Sequence, residues 1–306
     1  MSDELLSGFV SLVGRPNVGK STLVNRLVGT KVAIVSDRPQ TTRTQIRGVR
    51  TTDRSQIVLL DTPGIHRPRT ALGERTNARA VATLAEVDVV CLLVEAPGAI
   101  GPGDRYIAAL VHEVDTPRIL VVSKVDVADR RMVGERLATA SAQLGEFDAY
   151  VPLSGLTGDG VDALVDEIEH RLDPGPEYYP GGVVSDQPET FLAAELVREK
   201  LLRVARDELP HSITVTAEEL DAEGDETDES AEADDSILRL RVRVVVERDS
   251  QKGMVIGRGG AVIKEAGTLA RQELEALLGT RVHLDTRVVV ERDWQRRAHA
   301  LDRLGY

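Results

Sequence analysis

Between residues 8 and 172, short apolar runs alternate with amphipathic stretches. Residues 8–13, 87–94, 118–122 and 148–153 are nearly continuous apolar runs, the pattern of central strands in a parallel sheet. Residues 46–51 and 56–60 are two more β-prone runs, joined by a polar turn at 52–55, which predicts a hairpin. Helix-prone segments fall between the strands at 21–28, 104–113 and 159–172. The last of these places Val161, Leu164, Val165, Ile168 and Leu172 at helical spacing. Strands alternating with helices predict a doubly wound α/β sheet, with a ligand at the carboxyl ends of its strands.

The pattern changes after residue 172. Residues 173–189 hold four prolines and three glycines and read as a linker. An amphipathic helix is predicted over 190–209, with Leu192, Leu196, Leu201 and Val204 apolar and Arg198, Lys200, Arg203 and Arg206 on a solvated face. A short strand at 212–216 and a long alternating strand at 237–247 follow. In the long strand Leu238, Leu240, Val242 and Val244 face one way and Arg239, Arg241 and Arg243 the other. A helix through residue 278 and a strand at 281–291 complete an α+β arrangement. The predicted domains are 1–173 and 190–306, separated by a linker at 174–189, with an acidic mobile insertion at 217–235.

Charge refines this division. The chain of 306 residues carries a net charge of −12, which alone argues against a nucleic-acid partner. However, residues 217–235 contain eleven acids and no base. The rest of the C-terminal part, 190–216 and 236–306, has eighteen Lys and Arg against thirteen Asp and Glu. A basic module is therefore hidden by the acidic insertion, which is expected to mask basic groups from non-target RNA. Aromatic residues are 3 % of the chain, so the cores must be aliphatic. The single cysteine, Cys91, lies in an apolar run and reads as a small buried hydrophobe. No apolar stretch approaches the roughly 20 residues that span a bilayer. The N-terminal residues lack the basic and apolar regions of a signal peptide. A soluble cytoplasmic protein is expected.

The chemistry centres on G-x-x-x-x-G-K-S from Gly14 to Ser21, at a predicted strand-to-helix turn. Two glycines permit a loop whose backbone N–H groups face phosphate oxygens, and the helix that follows presents its positive end to them. Gly14, Asn17, Val18, Gly19, Lys20, Ser21 and Thr22 are the expected contacts. Lys20 reaches the β- and γ-phosphates, and the Ser21 hydroxyl takes one Mg²⁺ position. Residues 36–43 read as a mobile loop in which Thr41 and Thr42 are the candidate hydroxyls to complete the metal shell. Asp61-Thr-Pro-Gly64 ends a buried strand. Asp61 fits the acid that holds Mg²⁺ through water, and the Gly64 N–H meets the γ-phosphate. Lys20, Thr42 and Gly64 are expected to carry the catalytic step. Where many switch GTPases have a water-orienting Gln, this chain has Ile65, so slow intrinsic hydrolysis is expected.

Base recognition is assigned to Ser123-Lys124-Val-Asp126 and Ser154-Gly155-Leu156. Asp126 accepts from guanine N1 and N2, and Lys124 lies across the ring. Ser123 replaces the usual Asn and is expected to weaken a base-edge or loop-bridging contact. Ser154, Gly155 and Leu156 bring a backbone N–H to guanine O6, with Gly155 loosening the loop. In the C-terminal half, Gly257-Arg258-Gly259-Gly260 sits in V-I-G-x-x-G-x-x-I between two helices. Such a turn lets a nucleic-acid backbone approach closely, with Arg258 and Lys252 beside the phosphates and Ile256 and Ile263 lining a groove for unpaired bases, the logic of KH modules. Trp294, Arg296 and Arg297 are further candidate RNA contacts, the Trp equally a packed residue.

The combined pattern resembles the Era family of bacterial GTPases over almost the whole chain. The resemblance is carried by Gly14 to Ser21, Pro39-Gln-Thr-Thr-Arg43, Asp61 to Gly64, Lys124-x-Asp126, Ser154, Ala194-Glu-Leu-Val-Arg-Glu-Lys200, Glu208-Leu-Pro-His-Ser212 and Gln251-Lys-Gly-Met-Val-Ile-Gly257. It implies a P-loop GTPase domain followed by a type II KH-like domain, with GTP or GDP and Mg²⁺ as ligands. It also implies Thr42 rather than Thr41 at the metal, and Lys252, Gly257, Arg258, Gly259 and Gly260 at RNA. By the same resemblance the partner is 16S rRNA near its 3′ end, in assembly of the 30S subunit. A monomer is implied, and peripheral association with the inner face of the cell membrane is allowed. Ser123, Gly155 and the acidic insertion depart from the common pattern. Two other readings stay open. One is a GTPase switch whose C-terminal domain binds a protein or another RNA. The other is a tRNA-modification or ribosome-docking GTPase, although the second G domain or different C-terminal module usual there is not visible.

Overall fold

The computed structural model describes residues 5–38, 41–66, 68, 70–204, 212–220 and 237–306. They fall into two units, Met1–Asp186 with Tyr306, and Gln187–Gly305. In the first, β1 (Leu6–Gly14), β2 (Ile46–Thr51), β3 (Ser55–Asp61), β4 (Val89–Glu95), β5 (Arg118–Ser123) and β6 (Ala149–Pro152) form one sheet. Its order is β2-β3-β1-β4-β5-β6, and only the β2–β3 pair is antiparallel. The chain leaves β1 for β3 on one side and β4 on the other, so the carboxyl end of β1 is the switch point where such sheets bind ligands.

Helices cover both faces. Val10 and Leu12 pack with Leu23 and Leu27 of α1 (Lys20–Val28) and with Leu164 and Ile168 of α5 (Val161–Glu169). Val13, Val58 and Leu60 pack on the other face with residues of α2 (Ala71–Ala82), α3 (Pro102–His112) and α4 (Arg130–Leu144). Cys91 is buried in the first cluster, and burial pushes its thiol up to about 12, so it is a packing residue. The hydrophobic pattern does not predict α2 or α4. Their buried positions include Gly73 and Thr76 in α2 and Arg136 in α4, so the apolar period is broken. The caps are the missed signal. Thr70 Oγ1 accepts from Gly73 N and Asp129 Oδ1 from Met132 N.

The predicted linker is corrected by the structure. Residues 174–186 belong to the first unit and bind along β2 and β3. Val49 N donates to Val184 O at 2.9 Å, and Gln56 Oε1 accepts from the backbone N of both Tyr178 and Tyr179. Arg47 pairs with Asp186 at 2.8 Å, and the Tyr178 ring lies 4.8 Å from that of Phe9. The prolines prevent helix or strand, but they do not prevent specific docking through side chains and carbonyls.

The second unit runs α6 (Glu189–Val204), β7 (Thr214–Glu219), β8 (Ile237–Val246), α7 (Asp249–Ile256), α8 (Ala261–Leu278), β9 (Arg281–Val290) and a short α9 (Ala298–Arg303). Its sheet is β7-β8-β9, antiparallel then parallel. Leu240, Val242 and Val244 are fully buried, and Arg243 is exposed on the opposite face. Two expectations change, and a third position is decided between its two alternatives. Arg198 and Lys200 are buried, not solvated: Arg198 pairs with Glu195 at 2.6 Å, and Lys200 is held by Glu199 and Glu273. The start of the acidic run, 217–219, belongs to β7, where Glu218 meets Arg241 across the strands at 3.5 Å. Trp294 is packed, its Nε1 donating to Ser212 O at 3.1 Å, so it is not an RNA contact. The rest of the predicted insertion, 221–235, lies outside the described residues, as do 205–209 of the predicted helix.

Candidate functional site

The loop after β1 is shaped by close approaches. A Cβ on Gly14 would lie 2.7 Å from Leu93 O, and one on Gly64 would lie 2.7 Å from Pro16 N. The Asp61–Gly64 loop therefore rests directly on the P-loop backbone, and Ile65 N donates to Gly14 O at 3.3 Å. Asn17 adopts φ +67, a left-handed conformation that Asn tolerates, and its Nδ2 donates to Asp37 O at 2.6 Å. Together these elements enclose a cleft of about 310 Å³, which reaches from Gly19, Lys20 and Thr22 past Thr42 and Gly64 to Lys124.

Lys20 is buried, and its Nζ donates to Gly14 O at 3.2 Å and Arg15 O at 3.0 Å. Burial lowers it to about 8, partly offset by Asp61. A phosphate in the cleft would supply the counter-charge that this ammonium lacks. The Gly64 N–H has no partner among the described residues and lines the same cleft.

Two hydroxyls and a carboxylate converge beside it. Ser21 Oγ donates to Asp61 Oδ2 at 2.6 Å, Thr42 Oγ1 donates to the same oxygen at 3.2 Å, and the hydroxyl oxygens are 3.0 Å apart. Thr41 lines the same cleft, and its hydroxyl donates to Arg38 O at 2.6 Å. Asp61 is fully buried, so its carboxyl lies above the usual range, with Lys20, Ser21 and Thr42 countering that effect. Its Oδ1 is buried without a hydrogen-bond partner. Among the described residues no group of three or more His, Cys, Asp or Glu gathers to hold a metal. The donor set at Ser21, Thr42 and Asp61 is all oxygen, which fits a hard divalent cation such as Mg²⁺, and the orphaned Oδ1 is an acceptor still to be satisfied there.

The base-facing loops are built differently from expectation. Ser123 is buried and approaches Val18 O at 2.7 Å and Val94 O at 3.1 Å. With one proton it donates to one carbonyl at a time, and it ties the P-loop to the sheet instead of meeting the base loop. Lys124 adopts φ +61 at the cleft wall, and its ammonium pairs with Glu95. Ser154 Oγ donates to Asp126 Oδ1 at 2.6 Å, which leaves the exposed carboxylate oriented for a base. A Cβ on Gly155 would lie 3.2 Å from Leu23 N, so this position packs against the first turn of α1. Leu156 is exposed. Arg26 of α1, which sequence reasoning missed, reaches Gly155 O at 3.1 Å and also Leu156 O.

Ile65 is buried in the core with Val13 and Leu60, so its side chain points away from the cleft. It cannot orient an attacking water. Single-turnover hydrolysis by the isolated protein should be on the order of 10⁻³ s⁻¹ or slower, as for switch GTPases without a stimulating partner. A rate above about 1 s⁻¹, in the range of Arg-assisted enzymes, would refute this.

In the second unit Gly257, Gly259 and Gly260 have φ +73, +61 and +81. Gly257 also packs on Val262, where a Cβ would lie 2.6 Å from Cγ2, whereas Gly259 and Gly260 face open space. The turn ends at the N-terminus of the 18-residue α8, which has no side-chain cap, so its first N–H groups are available to an anion. Arg258 is exposed on the turn, and Lys252 lies one helical turn before the end of α7. A cleft of about 360 Å³ runs beside the turn between α8 and β9, lined by Ile263, Lys264, Arg271, His283 and Leu284. Ile256, expected in that groove, is half-buried and does not line it.

Comparison with known proteins gives the following. The profile of a family described as a 50S ribosome-binding GTPase matches residues 9–124, and that of the KH domain matches 208–295. GTPase Era of Mycobacterium sp. (strain KMS) is 48 % identical over 305 residues, 99 % of each chain. GTPase Era of Mycobacterium tuberculosis (strain ATCC 25177 / H37Ra) is 48 % identical over 306 residues, again with 99 % coverage of both. Two solved structures superpose with a TM-score of 0.91 at 36 % identity and 99 % coverage of both chains. They are Era in complex with MgGDPNP and nucleotides 1506–1542 of 16S ribosomal RNA, and a point variant of Aquifex aeolicus Era bound to GDP·AlF4⁻.

Proposed function

Since the chain belongs to the Era family of GTPases, we propose that its KH domain grips 16S rRNA near the 3′ end and that its GTP cycle serves assembly of the 30S subunit. The observation that carries the RNA reading is the turn 257–260. Its three left-handed glycines leave no side chain between a phosphodiester backbone and the uncapped head of α8, and Arg258 stands beside it. The neighbouring cleft has apolar Ile263 and Leu284 for base faces and Lys264 and Arg271 for phosphates.

In the GTPase domain each residue has a defined task. Gly14 to Thr22 wrap the phosphates with backbone N–H groups, and Lys20 balances their charge. Ser21 and Thr42 would hold Mg²⁺, with Asp61 behind them, and the ion neutralises charge on the β- and γ-phosphate oxygens. Asp126 and the 154–156 loop select guanine. Thr42 sits on the loop before β2, so its engagement by a GTP-bound ion orders that loop, and loss of the γ-phosphate releases it. The protein acts as a cytoplasmic monomer, with any membrane contact peripheral. In support of that last point, no described helix is long and apolar enough to cross a bilayer.

The deciding experiment compares the full-length protein, loaded with Mg²⁺ and a non-hydrolysable GTP analogue, on two RNAs at one salt concentration. One spans nucleotides 1506–1542 of 16S rRNA, the segment bound by the solved relative. The other is its scrambled counterpart. At least a tenfold preference for the first, about 1.4 kcal/mol, is expected. Equal affinities would move the partner to another RNA or to a protein.

A further inference from the structure

We propose that Arg26 is the positioning residue for guanine O6 recognition; the proposal rests on GTP as the nucleotide and on residues 154–156 as its base loop. That loop has an inherent weakness. Gly155 has no side chain to restrict its backbone, and Ser123 spends its one proton on Val18 or Val94 instead of on this loop. Yet the N–H of Gly155 has no partner among the described residues, so it is the donor left for a base.

The peptide that follows is held at both ends. Its carbonyl, Gly155 O, accepts from Arg26 Nε at 3.1 Å. Its N–H, on Leu156, donates to Ser154 Oγ at 3.2 Å. The second arm of the same guanidinium takes Leu156 O. A planar fork on two successive carbonyls fixes the orientation of both peptides, which an ammonium, a point charge, cannot do. Ser154 Oγ in turn donates to Asp126 Oδ1 at 2.6 Å, so the peptide that follows the O6 donor and the acceptor for N1 and N2 share one anchor. Arg26 itself is exposed, on the last turn of α1, and fills no core space. Its geometry therefore serves the loop and contributes little to the fold.

The test uses diphosphates, which avoid turnover. Affinities of wild type, Arg26→Ala and Arg26→Lys are measured for GDP, for 6-thio-GDP and for IDP. 6-thio-GDP has a weaker acceptor at position 6, and IDP lacks the 2-amino group. Arg26→Ala should bind GDP about tenfold more weakly, and its preference for GDP over 6-thio-GDP should collapse towards unity. Its preference for GDP over IDP, set by Asp126, should match wild type. Arg26→Lys should recover part of the lost preference. A wild-type preference retained in Arg26→Ala, or both preferences lost together, would overturn the proposal. A wild type that does not distinguish GDP from 6-thio-GDP would overturn the base-loop reading itself, and the proposal with it.

Discussion

Asp61→Asn should lower Mg²⁺-dependent GTP hydrolysis by about a hundredfold or more, close to 3 kcal/mol of transition-state stabilisation. The same change should leave the nucleotide-free fold essentially intact. Both expectations follow from the same geometry. Asp61 accepts from Ser21 and Thr42 on one oxygen and leaves the other buried and unpaired. In the free protein that carboxylate is costly, because burial favours its neutral form. The amide keeps the shape and still accepts from both hydroxyls, but it carries no charge. The unfolding temperature of the nucleotide-free variant should therefore stay within about 4 °C of wild type, which for a domain of this size is about 1 kcal/mol. The loss should appear only where the metal matters. Affinity for GTP in excess chelator should be unchanged, whereas the gain in affinity on adding Mg²⁺ should shrink. A variant that hydrolyses GTP at the wild-type rate, or that unfolds without nucleotide, would refute the assignment of Asp61 to the metal.

The contrast between Asp61 and Arg26 shows what a sequence discloses about such a site. Asp61, Ser21 and Lys20 sit in short motifs whose spacing is set by one strand and one turn, so their roles can be read along the chain. Thr41 and Thr42 are legible as a pair because they follow the P-loop in a polar segment with no competing apolar pattern, whereas the choice of Thr42 comes from the family resemblance. Arg26 touches residues 129 and 130 positions away, and no local pattern reports a helix end meeting a distant loop. The same reason hid the docking of 174–186. Its prolines and glycines mark the absence of regular structure, but Gln56, Arg47 and Val49 decide where the segment lies. Arg198 and Lys200 show the converse. Charge along a helix predicts a wet face, but here Glu195, Glu199 and Glu273 supply the partners that make burial tolerable. These strands were legible because β1, β4 and β5 are nearly continuous apolar runs and β8 alternates with period two. α2 and α4 were not, because small and polar residues fill their buried stripes.

Gly259→Asp should weaken binding of the 16S rRNA segment about thirtyfold or more at low salt, whereas Gly259→Asn should stay within about threefold of wild type. The pair isolates charge from conformation. Gly259 has φ +61 and ψ +24, a left-handed conformation that Asn and Asp both adopt more readily than other residues. A Cβ there meets nothing within 4 Å, so neither side chain has to displace a neighbour. Gly257 would be the poorer choice, because a Cβ would strike Val262 and the fold would suffer along with the RNA. The Asp carboxylate stands where the head of α8 and Arg258 would otherwise receive a phosphate, and it repels that phosphate. The deficit of the Asp variant relative to the Asn variant should narrow as salt rises, since screening weakens the repulsion. Nucleotide affinity and intrinsic hydrolysis should not change in either. Equal losses in the two variants would show that the turn contributes shape only. No loss in either would remove 257–260 from the RNA contact and leave the cleft between α8 and β9 to carry binding alone.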